Sequence, residues 1–431
     1  IKPNLTVGLE PKDIITSQAF IKEVSLVHEE LLKRIKTALI EEGTRAGVGA
    51  LVPLQKLLNA AHIASGYSLY EFEPAIKGKP VIVVSPGPSL KADIEKLRNV
   101  IGRVVIIAVA QACVALAKHK ISPDFVCVVD PMDYTEVLQG LDTQRIKALI
   151  LTDGAHPNFF KIWPNIKKVI LPSDEAAFNN EPYAKAPKFN WAGSSVSVTA
   201  LKIAVGLKAS TIGLMGQDLN ISAGSYYGYL GVDTPENVPS ESIKDNDTHR
   251  FHDGRYYKLV PVPSNDGGEV LTTETYWAFI LEIETLLRAE TTTCKVFNFS
   301  KNGAYIIGAE FLSFDQFQEN FTSAKVLSTT RLLNHSKDVL ISRFEGLKIH
   351  LKQQRKLVRK FNQISNKYNK SVLATAPSKV NYEYELMQIT KDVPILGIIC
   401  AKALDEFKYD TQAYHDQVVK KRHIKNLSED L

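Results

Sequence analysis

Four turns rich in small and polar residues are the places where this 431-residue chain is best equipped for chemistry. They either follow a short apolar run of the kind that forms a buried strand or precede a helical run. In an open α/β sheet, ligands bind beyond the carboxyl ends of the strands, so such turns meet at one edge. We therefore expect a single ligand site built from the turns that contain Gly87, Asp130, Ser194 and Asp218.

The first turn reads Ser85-Pro86-Gly87-Pro88-Ser89 and precedes a helical run. Gly87 permits close approach of the backbone to a ligand, and Ser89 stands at a helix start, where backbone amides bind phosphate. Gly, Pro and Ser are also common in ordinary turns between a strand and a helix, so both interpretations stay open. The turn has neither the GxGxxG nor the Walker A pattern, which disfavours a dehydrogenase and a P-loop kinase.

The other turns carry different chemistry. Asp130 ends a strand, where a carboxylate accepts hydrogen bonds from ribose hydroxyls or binds a metal, with capping of the next helix as the alternative. The run Gly193-Ser194-Ser195 precedes a helix and offers amides to a phosphate or carboxylate. Gln217 and Asp218 follow a buried strand and place an amide and a carboxylate at one edge. We expect such an edge carboxylate to contribute little to the core.

The segment after Leu219 is rich in Gly, Asp, Asn, Tyr and His, which is typical of a lid or an acceptor site. An unperturbed histidine pKa of about 6.5 suits proton removal near neutral pH, so His249 and His252 are candidate general bases. The triplet Asp245-Asn246-Asp247 fits a metal-binding DxD pattern, but a solvated polar turn is the favoured interpretation.

Strands and helices that alternate from Val81 onward would position these turns. Continuous apolar strands between helices predict a parallel sheet covered on both faces. We predict strands at Val81–Ser85, Val104–Val109, Phe125–Val129, Ala148–Leu151, Lys168–Leu171, Thr211–Met215 and Lys295–Phe299, and a late helix at Thr275–Ala289. Residues 220–268 are predicted to form a loop. The expected division is a helical region at 1–78, an α/β domain at 79–325 and a basic helical region at 326–431.

Positive charge is concentrated in one segment. The chain has a net charge of +5, yet the stretch from Arg331 to Lys370 holds eleven Lys and Arg against two Asp and Glu, so the other residues sum to about −4. This distribution excludes a uniformly basic nucleic-acid binder. Apolar residues at helical spacing predict a helix whose other positions are basic: Leu340, Phe344, Leu347, Leu351, Val358 and Phe361. The basic positions form either a solvated face or a docking surface for an acidic partner.

Two features indicate the compartment. The longest nearly apolar run, Val104–Ala117, has 14 residues and is too short to span a bilayer. The four cysteines stand singly, without metal-ligand spacing, as reduced core thiols do. We expect a cytoplasmic protein with no membrane span and no nucleic-acid partner.

The order of the turns resembles the motility-associated factor (Maf) glycosyltransferases, whose central domain is shared with proteins like 6-hydroxymethylpterin pyrophosphokinase MptE. The resemblance runs over roughly residues 80–315. Its matching segments are Pro86–Leu90, Ser122–Phe125, Val129–Pro131, Gly193–Val196, Gly216–Leu219, Asn265–Thr272 and Asn298–Gly308. The Gly-Pro-Ser-Leu turn also looks like that of bacterial sialyltransferases, which implies a Rossmann-like fold.

The resemblance implies transfer of a nonulosonic acid, of the pseudaminic or legionaminic type, from its CMP-activated form to Ser or Thr of flagellin. It implies no required cofactor, and a divalent metal is optional because the CMP leaving group carries one phosphate. Asp218, His249 and His252 are then the candidate bases. The donor would be held by Ser85, Gly87, Pro88, Ser89, Asp130, Gly193, Ser194, Ser195 and Gln217, with Tyr226 and Tyr227 as donors to the phosphate.

Two alternatives belong to other functional classes. The first is a pterin diphosphokinase that uses ATP and Mg²⁺, with Asp130 and Asp218 as metal ligands. The second is a nucleotide-binding scaffold without catalysis that chaperones flagellin.

Overall fold

The computed structural model describes residues 51–171, 191–221, 248–250, 256–289 and 293–322, together with ten helical residues between 340 and 364. The helices are α1 Leu51–Leu58, α2 Ala60–Ser65, α3 Glu73–Ile76, α4 Leu90–Asp93, α5 Cys113–Lys118, α6 Pro157–Lys161, α7 Val196–Gly206, α8 Glu274–Arg288 and α9 Phe314–Phe321. Short 3₁₀-helices occupy Leu69–Phe72, Ile94–Val100, Ala110–Ala112 and Thr135–Leu138.

The strands include every one that the sequence predicted. In chain order they are β1 Tyr67–Ser68, β2 Pro80–Val84, β3 Val105–Val109, β4 Phe125–Val128, β5 Ala148–Thr152, β6 Lys167–Leu171, β7 Thr211–Met215, β8 Thr248–Arg250, β9 Tyr256–Pro263, β10 Glu269–Thr273, β11 Lys295–Asn298 and β12 Ala309–Phe311. The predicted late helix is confirmed as α8.

Nine of the strands form one sheet in the order β1-β6-β5-β4-β3-β2-β7-β11-β12, and every neighbouring pair is parallel. Strand β2 lies near the middle, where Ile82 pairs with Ile106 of β3 on one side and Gly213 of β7 on the other. Strands β3 and β7 are buried along their whole length, as continuous apolar sequences between helices predict. The predicted α/β fold with a parallel Rossmann-like sheet is confirmed.

Helices cover this sheet and carry the site. Helix α7 packs against β2, β3 and β4, and α8 packs in turn on α7. Helix α7 is apolar nearly all round, and seven of its residues are buried, as expected for a helix between a sheet and another helix. Ser195 begins it by accepting a hydrogen bond from the amide of Val198 at 3.2 Å.

Strand β1 corrects the sequence prediction. Residues 1–78 were expected to be helical, but β1 lies within them and pairs with β6, so the large sheet includes a strand before the predicted boundary at 78/79. Its two residues are too few to show a period. The boundaries themselves stay predictions.

The stretch predicted as loop at 220–268 contains strands. Strands β8, β9 and β10 form an antiparallel sheet in the order β10-β9-β8. Five residues, 264–268, connect β9 to β10 and include an Asp266-Gly267 dipeptide in which Gly267 has φ +89°. This dipeptide is a hairpin signal that the polar composition of the segment obscured.

Part of the basic region packs on the α/β domain. Arg343 is buried, and its guanidinium donates a hydrogen bond to the carbonyl oxygen of Gly66 at 2.9 Å. Ile364 is also buried, and Leu340 is half-buried. The other predicted core-facing residues of this helix lie outside the described residues. Across the described part of the chain, none of the helices combines the length and the apolar character that crossing a bilayer requires.

Substitution of Gly213 tests the packing behind β7. A Cβ atom there would lie 2.2 Å from Cζ of Phe299, whose ring is held edge-on by Phe314 and Phe317. We expect Gly213→Ala to lower the free energy of unfolding by about 1–3 kcal/mol through overpacking, measured by urea titration.

The matched control is Gly268→Ala, because a Cβ there makes an ordinary contact of 3.4 Å with Asp266. It should change stability by less than about 0.5 kcal/mol. Adding Phe299→Leu to Gly213→Ala should recover part of the loss. Equal urea midpoints for Gly213→Ala and the unsubstituted protein would contradict this packing.

Candidate functional site

A cleft opens beyond the carboxyl ends of β2, β3 and β7. Strands β3 to β6 lie on one side of β2 and β7 lies on the other, so the cleft sits where the strand order switches direction. Its walls are Ser85–Pro88 after β2, Val109 and Gln111 after β3, Ser195–Ser197 at the start of α7, Gly216–Asn220 after β7, and Tyr276 and Phe279 of α8.

The cleft is narrow. Its volume is about 90 Å³, below the ~300–1,000 Å³ of complete small-molecule sites. The described walls therefore accommodate one part of a ligand, such as a phosphate group or a flat ring.

Seven of the fourteen predicted site residues meet here. Ser85, Gly87, Pro88, Ser195, Gln217 and Asp218 line the cleft, and Ser89 contacts Asp218 directly. Gly193 and Ser194 precede α7 without lining the cleft, and Asp130 does not line it either. His249 lies in β8, and nothing is described of its side chain. Tyr226, Tyr227, His252 and the Asp245–Asp247 triplet lie outside the described residues.

Backbone hydrogen bonds connect the turn after β2 to the turn after β7. The amide of Ser85 donates to the carbonyl of Met215 at 2.8 Å, and the amide of Gly87 donates to that of Gly216 at 2.9 Å. A Cβ atom on Gly87 would lie 2.1 Å from Oδ2 of Asp218 and 2.3 Å from the carbonyl oxygen of Gly216. Glycine is thus required at 87 because two turns pack together, and the expected role in ligand approach is not needed to explain it.

The Asp218 carboxylate connects three segments. Its Oδ2 accepts hydrogen bonds from the amide and hydroxyl of Ser89 at 3.2 and 2.9 Å, and its Oδ1 accepts one from the hydroxyl of Ser300. The side chain is only 6% exposed. The expectation that this carboxylate contributes little to the core is therefore wrong, since it bonds the β2 turn to the turn after β11.

Burial raises the pKa of Asp218 above its ordinary value of 3.8, although the hydrogen bonds from Ser300 and Ser89 act in the opposite direction. At pH values between about 3.8 and the higher pKa of the folded state, the Asp218 carboxyl group thus keeps a proton in the folded protein that it has released in the unfolded chain. Ionisation of Asp218 consequently costs stability as the pH rises from about 3.8 to the higher pKa of the folded state.

Amide side chains form the polar floor of the cleft. Gln217 is buried, and its Oε1 accepts a hydrogen bond from the Ser85 hydroxyl at 2.8 Å. Its amide nitrogen has no hydrogen-bond partner among the described residues. The side chain of half-buried Gln111 likewise makes no hydrogen bond within the described part of the chain. Both amides are therefore available to a ligand.

The Glu282 carboxylate already binds the backbone amide of Ser194, which the sequence analysis expected to bind an anion of the ligand. The amide of Ser194 donates to Oε2 of Glu282 at 2.8 Å, and its hydroxyl donates to the same oxygen. The other oxygen of Glu282 accepts from Lys202 at 2.5 Å. Ser194 thus serves an internal ion pair, and the remaining groups at this helix start that face the cleft belong to Ser195–Ser197.

Asp130 lies apart from the cleft. Its carboxylate accepts a hydrogen bond from the amide of Met132 at 3.0 Å, which stabilises the local turn. Burial raises its pKa. In this structure Asp130 and Asp218 do not share a site, and the described residues contain no group of three His, Cys, Asp or Glu side chains able to hold a metal ion.

Gln111, Tyr276 and Phe279 are among the wall residues that the sequence analysis did not single out. For Gln111 a signal existed, because it is the polar residue in the apolar run Val104–Ala117, just past the end of β3. For Tyr276 and Phe279 no local signal exists, since aromatic residues on an amphipathic helix normally face a core.

The Asp218 side chain offers a test of this arrangement. Asp218→Ala should lower the free energy of unfolding by about 1–3 kcal/mol, because it leaves the amide of half-buried Ser89 and the hydroxyl of buried Ser300 without their acceptor. Asp218→Asn keeps an acceptor for Ser89 and should cost much less.

Urea titrations at several pH values separate the two effects. Relative to the unsubstituted protein, Asp218→Asn should gain stability as the pH rises above about 4, because it has no proton to lose. A stability difference between the two proteins that stays constant across this pH range would contradict a buried Asp218 carboxyl group with a raised pKa.

Comparisons with known proteins give the following matches. Residues 55–224 match a family model described as 6-hydroxymethylpterin diphosphokinase MptE-like. The chain is similar to the solved structure of a Maf glycosyltransferase from Magnetospirillum magneticum AMB-1, with 16% identity, a TM-score of 0.48 and coverage of 80% of this chain. The aligned part is 52% of that protein, about half its length. No curated protein matches the sequence. The predicted resemblance to MptE-like proteins is confirmed over residues 55–224, where the family model matches.

Proposed function

We propose that this chain is a glycosyltransferase that moves a nonulosonic acid from a CMP-activated donor to Ser or Thr of flagellin in the bacterial cytoplasm. One observation carries the proposal. Of the described residues that line the cleft, none is Lys, Arg or His, and the carboxylate that is present is already bonded on both oxygens. Such a cleft suits a weakly charged ligand.

The donor's chemistry matches the walls. A CMP-sugar carries one phosphodiester charge, which neutral hydroxyls and amides satisfy at a helix start without a lysine or a metal. The start of α7, with Ser195 and Ser197, supplies such groups. The amides of Gln111 and Gln217 pair with donor and acceptor atoms of a base or ribose. Tyr276 and Phe279 offer an apolar wall to a flat ring.

The transfer needs a base for the acceptor hydroxyl. As the base removes the proton, the hydroxyl oxygen bonds to the anomeric carbon, and the bond from that carbon to the phosphate oxygen breaks, so that CMP leaves with the electron pair. Asp218 is a poor candidate for this step, because Ser89 and Ser300 already use its oxygens. His249 and His252 are therefore the preferred bases.

A diphosphokinase is the second candidate function, and the family match over residues 55–224 favours it. This reaction handles a triphosphate and Mg²⁺, for which carboxylate ligands and cationic side chains are the usual partners. Asp130 and Asp218 do not both line the cleft, and its described walls carry no Lys or Arg. These features weigh against the second candidate.

Calorimetry on the full chain separates the two. We expect CMP to bind without metal and ATP with Mg²⁺ to bind at least about tenfold more weakly. Gln111→Leu, which leaves a slightly shorter apolar side chain and loses the amide, should weaken CMP binding about 5- to 50-fold, the cost of one to two hydrogen bonds.

The control is Gln144→Leu, an exposed glutamine outside the cleft, which should leave CMP binding unchanged. Tight ATP·Mg²⁺ binding together with undetectable CMP binding would support the diphosphokinase instead.

Transfer itself is measured on flagellin. Co-expression with flagellin in cells that make a CMP-nonulosonic acid should add the residue mass of that sugar to intact flagellin. The Gln111→Leu variant should reduce the modified fraction, and Gln144→Leu should not. If the mass of flagellin stays unmodified in the presence of the folded protein and the donor, the proposed glycosyltransferase function is overturned. The nucleotide-binding scaffold without catalysis is then the function that remains.

A further inference from the structure

Five basic residues form a stripe on the helical region that follows the α/β domain. Lys352, Arg355, Lys356, Arg359 and Lys360 are all helical and all exposed. Their spacing of three, four, seven and eight positions from Lys352 places them on one face of a helix. At 1.5 Å per residue the stripe is about 12 Å long. We call these five residues the basic stripe.

One contact before the stripe holds this region against the domain, and a buried residue follows the stripe. Arg343 is buried against the carbonyl oxygen of Gly66, and Ile364 is buried beyond the other end of the stripe. The stripe residues between them are exposed. The protein therefore presents the stripe to its surroundings on a supported helix.

The protein does not neutralise this charge with its described residues. None of the five stripe side chains forms an ion pair with another described residue. The described acidic residue of this region, Glu345, is seven positions before Lys352, about 10 Å along a helix axis. Like charges three and four positions apart destabilise a helix, so the stripe is costly to folding on its own.

We propose that the basic stripe is a docking surface for a short acidic segment of a partner protein. Charge complementarity and length carry this assignment. Carboxylates spaced along a segment of about 12 Å neutralise the stripe, which removes the repulsion that the free helix bears. The docking surface is separate from the cleft, since no stripe residue lines the cleft.

The observations disfavour nucleic acid and a lipid surface as partners. The rest of the chain outside 331–370 sums to about −4, so a long polyanion that runs past the stripe meets repulsion. The exposed residues described between 345 and 363 include no aromatic side chain to stack on bases. They also include no apolar side chain to insert into a bilayer.

Binding of a fluorescent peptide tests the docking surface. The probe is a 12-residue peptide of alternating Glu and Gly, titrated with the full chain and followed by anisotropy. We expect saturable binding that weakens steeply between low and physiological salt. The triple variant Lys352→Glu, Lys356→Glu, Arg359→Glu should bind at least about tenfold more weakly, because three attractions become repulsions.

A control variant makes the same change in net charge elsewhere. Lys77→Glu, Lys161→Glu and Lys295→Glu replace three exposed lysines far from the stripe in sequence, and binding should stay within about twofold. Circular dichroism checks that both variants fold. If the stripe variant is unfolded, Lys352→Gln with Lys356→Gln and Arg359→Gln replaces it, with an expected loss of about threefold or more.

Three results would overturn the proposal. The first is an absence of peptide binding to the folded, unsubstituted chain, and the second is an equal loss in the stripe and control variants. The third is tighter stripe-dependent binding of a 12-nucleotide single strand, or of vesicles rich in phosphatidylserine, than of the peptide. Since the assay involves neither CMP nor sugar, its outcome is independent of the transfer reaction.

Discussion

The hydrogen bonds to the Asp218 carboxylate are the constraint on which the site depends. Residues on three separate segments meet at this one group: Ser89 after β2, Asp218 after β7 and Ser300 after β11. Backbone bonds between Gly87 and Gly216 reinforce the connection. Because the group is buried, losing one donor or the acceptor leaves a polar atom without a partner, and this makes the arrangement cooperative. The floor of the cleft is therefore rigid before any ligand arrives.

Because the floor is rigid, different parts of the site have different roles. The turns after β2 and β7 provide shape, whereas the amides of Gln111 and Gln217, the start of α7 and the aromatic wall of α8 provide groups that a ligand can contact. Glu282 and Lys202 fix α8 to α7 through an ion pair at Ser194. The spacing between the aromatic wall and the floor is thus set by a contact outside the cleft. Through this ion pair, Lys202 and Glu282 control the width of the cleft although they do not line it.

Seven of the nine strands of the large sheet were predictable from the sequence, because each is a continuous apolar run, whereas β1 and β12 have two and three residues and carry no such signal. The position of the site was predictable for the same reason, since parallel strands bring their turns to one edge. The roles of individual residues were not predictable. The partners of Asp218 are 129 and 82 positions away in sequence, and Glu282 is 88 positions from Ser194. Nothing in the local sequence shows that a carboxylate is shared between distant turns.

The central place of β2 has a consequence for how the protein is made on the ribosome. One neighbour of β2, the strand β3, follows it directly in the chain, whereas the other neighbour, β7, is synthesised more than 100 residues later. Ser85 and Gln217, which are hydrogen-bonded after these two strands, are 132 residues apart in the sequence. A nascent chain that has completed β2 to β6 thus exposes an apolar strand edge, which is a template for aggregation. Translation speed through this interval and the supply of holdase chaperones therefore influence the yield of this protein, even where the finished fold is stable.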